Sequence, residues 1–378
     1  MFHGVHVDSS INVHIVPRPR SRKRPDAFRI PYVEQGRPEA PAAVGLVVVV
    51  QRGTETGDPP RCAPRVVRRV GRMSDVRIEH TRLGEVEVIR VVEWQGAYLP
   101  SAEMFPTAPA GLWEENAEWL VPDHWRRGED RIVVALQSWV LRGGGQTIVI
   151  DTGVGHDRDR PGMGPFHRGR SRLLALLGEA GVPPESVDFV VNTHLHVDHV
   201  GWNTVDAGGD WVPSFPHATY LIPAADDAHY GRAQEHGHRL RPADRLVYED
   251  SVAPVHRAGQ SLLWEGTHTV NDFLTLESAP GHTPGSSVAW LGSGGDRAVF
   301  VGDLVHSPVQ IVAPCHHSNS CLDPERAARS RRRILARAAD ERALLVPGHF
   351  GGPGALEVSR AGEGFALGAW AAFAPGAG

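Results

Sequence analysis

The stretch "VVNTHLHVDHVGWN", residues 190–203, sets His194, His196, Asp198 and His199 within six residues, directly behind the apolar run "VDFVV". His194 and His196 are two apart, so on an extended backbone both side chains point to the same side. Asp198 and His199 are neighbours and cannot both follow that alternation. The chain is therefore expected to turn after His196, into a helix, so that the second pair addresses a different point. One short segment can then serve two metal ions, and borderline dications accept imidazole nitrogen and carboxylate oxygen alike.

Further donors stand downstream, each where an apolar strand runs out into a loop. "APGHTPGSS" presents His282, "VFVGDLVH" presents Asp303, and "LLVPGHF" presents His349. A glycine precedes each donor, which lets the backbone approach closely and take up unusual dihedrals. A single His or Asp after a strand is most often structural. An ordered set behind H-x-H-x-D-H is a metal-site pattern.

The order H-x-H-x-D-H (194–199), G-H (281–282), G-D (302–303), G-H (348–349), with "IDTGVG" at 150–155, resembles the metallo-β-lactamase-fold hydrolases over roughly residues 85–352. The resemblance implies an α/β (α+β) fold, a four-layer αββα sandwich with its site along one edge of two sheets. It implies that His194, His196 and His282 hold one metal and that Asp198, His199 and His349 hold the second. Asp303 bridges them, and Asp151 braces a ligand. Two dications outweigh Asp198, Asp303 and a bridging hydroxide, so the site keeps a positive charge. Bound metal lowers the pKa of water toward ~7, and the bridging hydroxide is expected to attack an ester-like centre, with Asp198 or Asp303 relaying the proton. The expected cofactors are two divalent ions, zinc first, with manganese or iron as alternatives.

"GDLVHSPVQ" (302–310) and "HVDHVGWN" (196–203) are similar to the lactonase and methyl parathion hydrolase-like group. The expected substrate is a small molecule with a lactone, carboxylic ester or phosphotriester. The alternative is a thioesterase or glyoxalase II-like hydrolase, although only 29 residues follow His349, too few for that branch's C-terminal helical module. A more remote alternative is a non-catalytic metal-binding protein on the same scaffold. Trp113, Trp202, Phe215 and His306 are the expected substrate contacts. The aromatic-rich residues 94–125 read equally as a lid, as an arm on a second subunit of a homodimer, or as ordinary packing. His229, His236 and His238 read as helix-surface residues. In "PCHHSNSC" (314–321), His316 or His317 is a possible neighbour of the pocket, but the Cys/His spacing fits no zinc knuckle.

Around the motifs, strand-like runs occupy 84–92, 131–142, 146–151, 187–193, 219–222, 272–278, 286–292, 297–303 and 343–348, with β-branched and aromatic residues between Gly, Pro and Asp boundaries. Helical patterns cover 171–181 and 323–341, the latter opening with Asp323 as N-cap and Pro324 behind it.

The chain has 378 residues, 41% of them hydrophobic, enough for a sizeable core. Three cysteines make no disulfide framework, and the expected location is the cytoplasm. The longest apolar run, "VGLVVVV" at 44–50, is far short of the roughly 20 residues a membrane span needs. Residues 1–73 carry 13 Arg/Lys against 6 Asp/Glu, whereas the rest carries 26 against 38. Rich in Pro and Arg and without periodicity, 1–73 is expected to be a disordered extension, and 74–378 the hydrolase domain. Its basic cluster 18–24 reads as a solvated tail in preference to a nucleic-acid contact.

Overall fold

The computed structural model describes residues 76–231 and 240–376. The expected disordered extension, its basic cluster, His236 and His238 lie outside the described residues. A first sheet runs, from edge to edge, Ser261–Trp264, Thr219–Pro223, Phe189–Val191, Gln146–Ile150, Arg131–Gly143, Val86–Pro100, Arg77–Leu83 and Ala374–Pro375. A second runs Thr267–Thr269, Leu274–Ser278, Ser287–Ser293, Asp296–Gly302, Leu344–Pro347, Leu356–Ala361 and Gly364–Trp370.

Alternation along these strands builds the layers, because successive side chains leave opposite faces. Trp139, Leu141, Ile148, Ile150 and Val191 of the first sheet meet Leu276, Ala289, Leu291, Phe300 and Val346 of the second in one buried cluster between the sheets. Their sequence neighbours point the other way. Val140, Val149 and Val190 pack outward with Leu173, Leu176 and Leu177 of helix Leu173–Glu179 and Val247 of helix Pro242–Ser251. Val288, Trp290, Val299 and Leu345 pack under Ile334, Leu335 and Ala338 of helix Pro324–Glu341. Both faces of both sheets are thus apolar, and the result is the αββα sandwich.

Every expected strand is present, most within two residues of their bounds, but the one expected at 84–92 runs on to Pro100; both expected helices form. Asp323 caps its helix by accepting from the backbone N–H of Arg326 at 2.9 Å. Among the features not foreseen are the strand Arg77–Leu83, the short pair Thr204–Asp206 with Trp211–Pro213, the edge strands Ser261–Trp264 and Thr267–Thr269, and the hairpin Leu356–Ala361 with Gly364–Trp370. The expected helix after His196 is absent. A turn forms instead, in which the His199 N–H reaches the His196 carbonyl at 3.1 Å and a single 3-10 turn, Gly201–Asn203, follows. The loop behind Asp151 takes the backbone groups a helix would have used. Thr152 N–H donates to the His199 carbonyl, Gly201 N–H to the Gly153 carbonyl and Trp202 N–H to the Thr152 carbonyl, at 2.7, 2.7 and 3.0 Å. Gly201 is required there, since a Cβ would lie 2.0 Å from the Val154 carbonyl carbon.

Candidate metal centre

Parallel pairing places the donors side by side. Gln146–Ile150 runs parallel to Phe189–Val191, and Asp296–Gly302 runs parallel to Leu344–Pro347. Asp151, the His194–His199 turn, Asp303 and His349 therefore all leave their strands at the same end of the sandwich. The two sheets are tied there. Ser287 donates from both its N–H and its hydroxyl to the Thr193 carbonyl, at 3.0 and 2.8 Å. Gly302, at a φ of 47°, lies so close to Thr193 that a Cβ would fall 2.6 Å from its hydroxyl.

Two donor groups result, His194, His196, His282 and Asp303 in one and Asp198, His199 and His349 in the other, each with ligand atoms within 4.8 Å of one another. Asp303 lies between them, 6% exposed. Its Oδ2 is 3.0 Å from His282 Nε2 and 3.6 Å from His194 Nε2, while its Oδ1 is 3.0 Å from His349 Nε2 and 3.2 Å from His199 Nε2. Asp198 reaches from the more open side, 3.5 Å from His349 and 3.8 Å from His199.

Hydrogen bonds on the outer side of the cluster orient the rings. His199 Nδ1 donates to Asp151 at 2.8 Å, and His349 Nδ1 donates to the Ala135 carbonyl at 2.9 Å. Both acceptors lack a proton to give, so the two Nε2 atoms, 3.2 Å apart, face each other as lone pairs unless a proton or a cation lies between. His194 Nε2 and Asp303 Oδ1 are buried with no hydrogen-bond partner. Orphaned acceptors of this kind are costly in a protein interior and are the mark of a cation site. The donor set, imidazoles and carboxylates, fits a borderline dication.

Protons compete for the same atoms. Burial opposes charge on His199, but the carboxylates of Asp303, Asp151 and Asp198 outweigh it and hold the imidazole well above its ordinary range. Burial and the neighbouring imidazoles push His194 well below it. Asp303 is held well below the ordinary carboxylate range because the surrounding imidazoles, His199 first, overcome its burial.

The structure brings Asp151 and all seven expected donors together. Asp151 also accepts from the backbone N–H and the hydroxyl of Thr193, both at 2.8 Å. Among the expected substrate contacts, His306 is at the centre, its Nε2 3.1 Å from Asp303 Oδ2 and its Nδ1 unpartnered. Trp202 instead packs against the outer core of the first sheet and donates from Nε1 to Ser171 Oγ at 2.6 Å. Phe215 and Trp113 are corrections. Phe215 is fully buried in the outer core of the first sheet against Tyr220, and Trp113 is buried with Phe105 and Trp125 in a satellite core. Much of the aromatic segment is thus ordinary packing. His229 lies beside Tyr230, and His316 and His317 bond to Thr107 and to the Ser318 carbonyl; none joins the donor groups. A cavity of about 400 Å³ bounded by Gln95, Val121, Asp123 and Arg126 also contains none of the donors.

Other residues were missed. Asp226, fully buried, accepts from Leu195 N–H, Thr283 Oγ and Gly285 N–H, and so ties the His194–His196 turn to the His282 loop. An Asp in the first turn of a helix carries no motif, and the histidines beyond it drew the reading instead. Tyr98 stands near Asp198; burial first and that carboxylate second push its phenol up to about 12, so it remains a proton donor at neutral pH.

The description of the metallo-beta-lactamase superfamily matches residues 131–349. The chain belongs to that superfamily and is a metal-dependent hydrolase. Similar solved structures include AidC, a dizinc quorum-quenching lactonase, at 22% identity and a TM-score of 0.63, covering 77% of this chain and 97% of that one. The hydrolase AbOPH matches at 20% identity and 0.63, with the same coverage. A probable metal-dependent hydrolase from Staphylococcus aureus matches at 18% and 0.63, covering 76% and 98%. At these identities the likeness is one of fold.

Proposed function

We propose that residues 74–378 form one catalytic domain that holds two divalent cations, zinc first, and hydrolyses an ester-like bond in a small molecule: a lactone, a carboxylic ester or a phosphotriester. His194, His196 and His282 would hold one cation and Asp198, His199 and His349 the other. The observation that carries the reading is the division of Asp303, one oxygen toward His194 and His282, the other toward His199 and His349. When bound, such a pair supplies an activated water at neutral pH and a positive field for a carbonyl or phosphoryl oxygen.

The chain's own residues supply the rest. Both oxygens of Asp303 are enclosed by imidazoles, whereas the Asp198 side chain retains 15% exposure. Asp198 is therefore the carboxylate that takes up the proton of the attacking water and returns it to the leaving oxygen. Burial lowers His306 to about 4, so it is neutral. Its Nε2–H donates to Asp303 Oδ2 and so helps to hold that carboxylate in place. The fold is shared with a dizinc lactonase, which favours an oxygen ester. The second reading is a thioesterase or glyoxalase II-like hydrolase, which the same donor set would serve.

The test is a panel of lactones, aryl esters, phosphotriesters, thioesters and a chromogenic β-lactam, assayed after reconstitution with zinc, manganese or iron. Turnover of an oxygen ester is expected, with a loss of at least ~10³-fold in His194→Ala and Asp303→Ala. Under one equivalent of bound transition metal, with unchanged turnover in both variants, would overturn the proposal.

A further inference from the structure

Three of the histidines of the centre are oriented by an oxygen at their outer nitrogen. For His199 that is a carboxylate, for His349 a main-chain carbonyl, and for His194 the Thr193 hydroxyl at 3.1 Å. His282 differs. Its Nε2 faces inward, 3.0 Å from Asp303 Oδ2 and 2.9 Å from His196 Nδ1, and its outer Nδ1 faces the sulfur of Cys321 at 3.6 Å.

We propose that Cys321 is the positioning residue of His282, accepting its Nδ1–H on sulfur and so fixing both the tautomer and the ring plane with which His282 meets a cation. The proposal rests on the reading of His282 as a metal ligand.

The surroundings make this contact a built one. Leu322 N–H donates to the His282 carbonyl at 3.0 Å and Asp323 N–H to the Gly281 carbonyl at 2.9 Å, so two successive bonds pin the cysteine loop to the histidine loop. Gly281 lies so close to the start of the following helix that a Cβ would fall 2.0 Å from Ala327 N. Cys321 N–H donates to the Ser318 carbonyl at 3.2 Å, and Ser318 Oγ lies 3.5 Å from Sγ, so the thiol can give its own proton to Ser318 while it accepts from His282. Farther back, the fully buried Arg331 gathers the carbonyls of Leu304, Pro314 and His316 at 2.7–2.9 Å, which anchors the loop between Asp303 and Cys321. Neither loop can drift from the other without breaking several of these bonds.

A neutral thiol is a weaker acceptor than a carboxylate, so His282 receives less outward support than His199. Outer partners of this kind are typically worth about 10–100-fold in metal affinity.

The test is a titration of the metal-free full chain with Co(II), read by the visible absorption and stoichiometry of each cation. Parent, His282→Ala, Cys321→Val, Cys321→Ser and Cys321→Asp are compared. Cys321→Val keeps the bulk of the side chain and removes the acceptor; it is expected to weaken one of the two cations about 10–100-fold and to alter its spectrum, leaving the other unchanged. Cys321→Asp is expected to restore that affinity or exceed it, and Cys321→Ser to fall between. Thermal melting of the metal-free variants separates this effect from simple misfolding, since Cys321→Asp would not rescue a packing defect. Equal Co(II) affinity in parent and Cys321→Val, while His282→Ala loses a cation, would overturn the positioning role alone. A full complement of cobalt in His282→Ala would overturn the ligand reading beneath it.

Discussion

Asp151 holds a φ of 57°, a left-handed conformation that few residues other than glycine adopt readily. It spends both carboxylate oxygens on Thr193 and His199. Removing it frees the His199 ring, and Asp151→Ala is expected to lower affinity for the cation of the second donor group about 10–100-fold, measured by titration of the metal-free protein with zinc. The seven donors were legible in the sequence because few residue types can bind a dication and their spacing is constrained. Their outer partners were less so. The Ala135 carbonyl and the Thr193 hydroxyl bear no signature, since any residue offers the first and many loops offer the second. Phe215 and Trp113 mark the opposite failure: an aromatic ring near a motif suits a core as well as a pocket, and only packing separates the two.

At the scale of elements, the loop 151–155 and the turn 196–203 form one unit, joined by backbone bonds from Thr152, Gly201 and Trp202. Gly201→Ala would put a methyl group 2.0 Å from the Val154 carbonyl carbon, so the two segments must part. Unfolding free energy is expected to fall by at least ~2 kcal/mol, read from denaturant melts, with metal binding weakened in parallel. This pairing explains why the helix expected after His196 does not form. Local pattern foresaw that the chain must turn, but the competing backbone acceptors come from residues more than forty positions away. The long strands were easier, since both faces of each are apolar and their ends are punctuated. The terminal hairpin, Leu356–Ala361 with Gly364–Trp370, was hidden by its small residues, which give little periodicity although Val358 and Phe365 are buried.

At the scale of the molecule, His124 links the two halves. Its carbonyl accepts from Val133 in the first sheet, while its ring stacks on Trp370 of the second at 5.0 Å and meets Phe350. Burial first, and the charge of Arg90 second, lower its pKa to about 3 from an ordinary 6.5. The unfolded chain therefore binds a proton near pH 6.5 that the folded chain refuses until about pH 3. The stability this neutral ring contributes is whole above that window and is lost as pH falls through it, by up to ~1.4 kcal/mol per unit. Urea unfolding at pH 7 and pH 5 is expected to show a steeper loss in the parent than in His124→Phe. Chelation should act on the same global stability: melting temperature is expected to fall on removal of metal and to rise with free zinc, as the unfolding free energy grows by ~1.4 kcal/mol for each tenfold excess over the dissociation constant. The apolar layer between the sheets resists their separation but, being non-directional, resists sliding poorly. Asp303 and His349 leave one sheet while the His194–His199 turn leaves the other, so a cation gripped from both sides works as a rivet against shear. Without its metal the molecule would be not only idle but mechanically slack along its midline, and more readily opened there by heat or proteases.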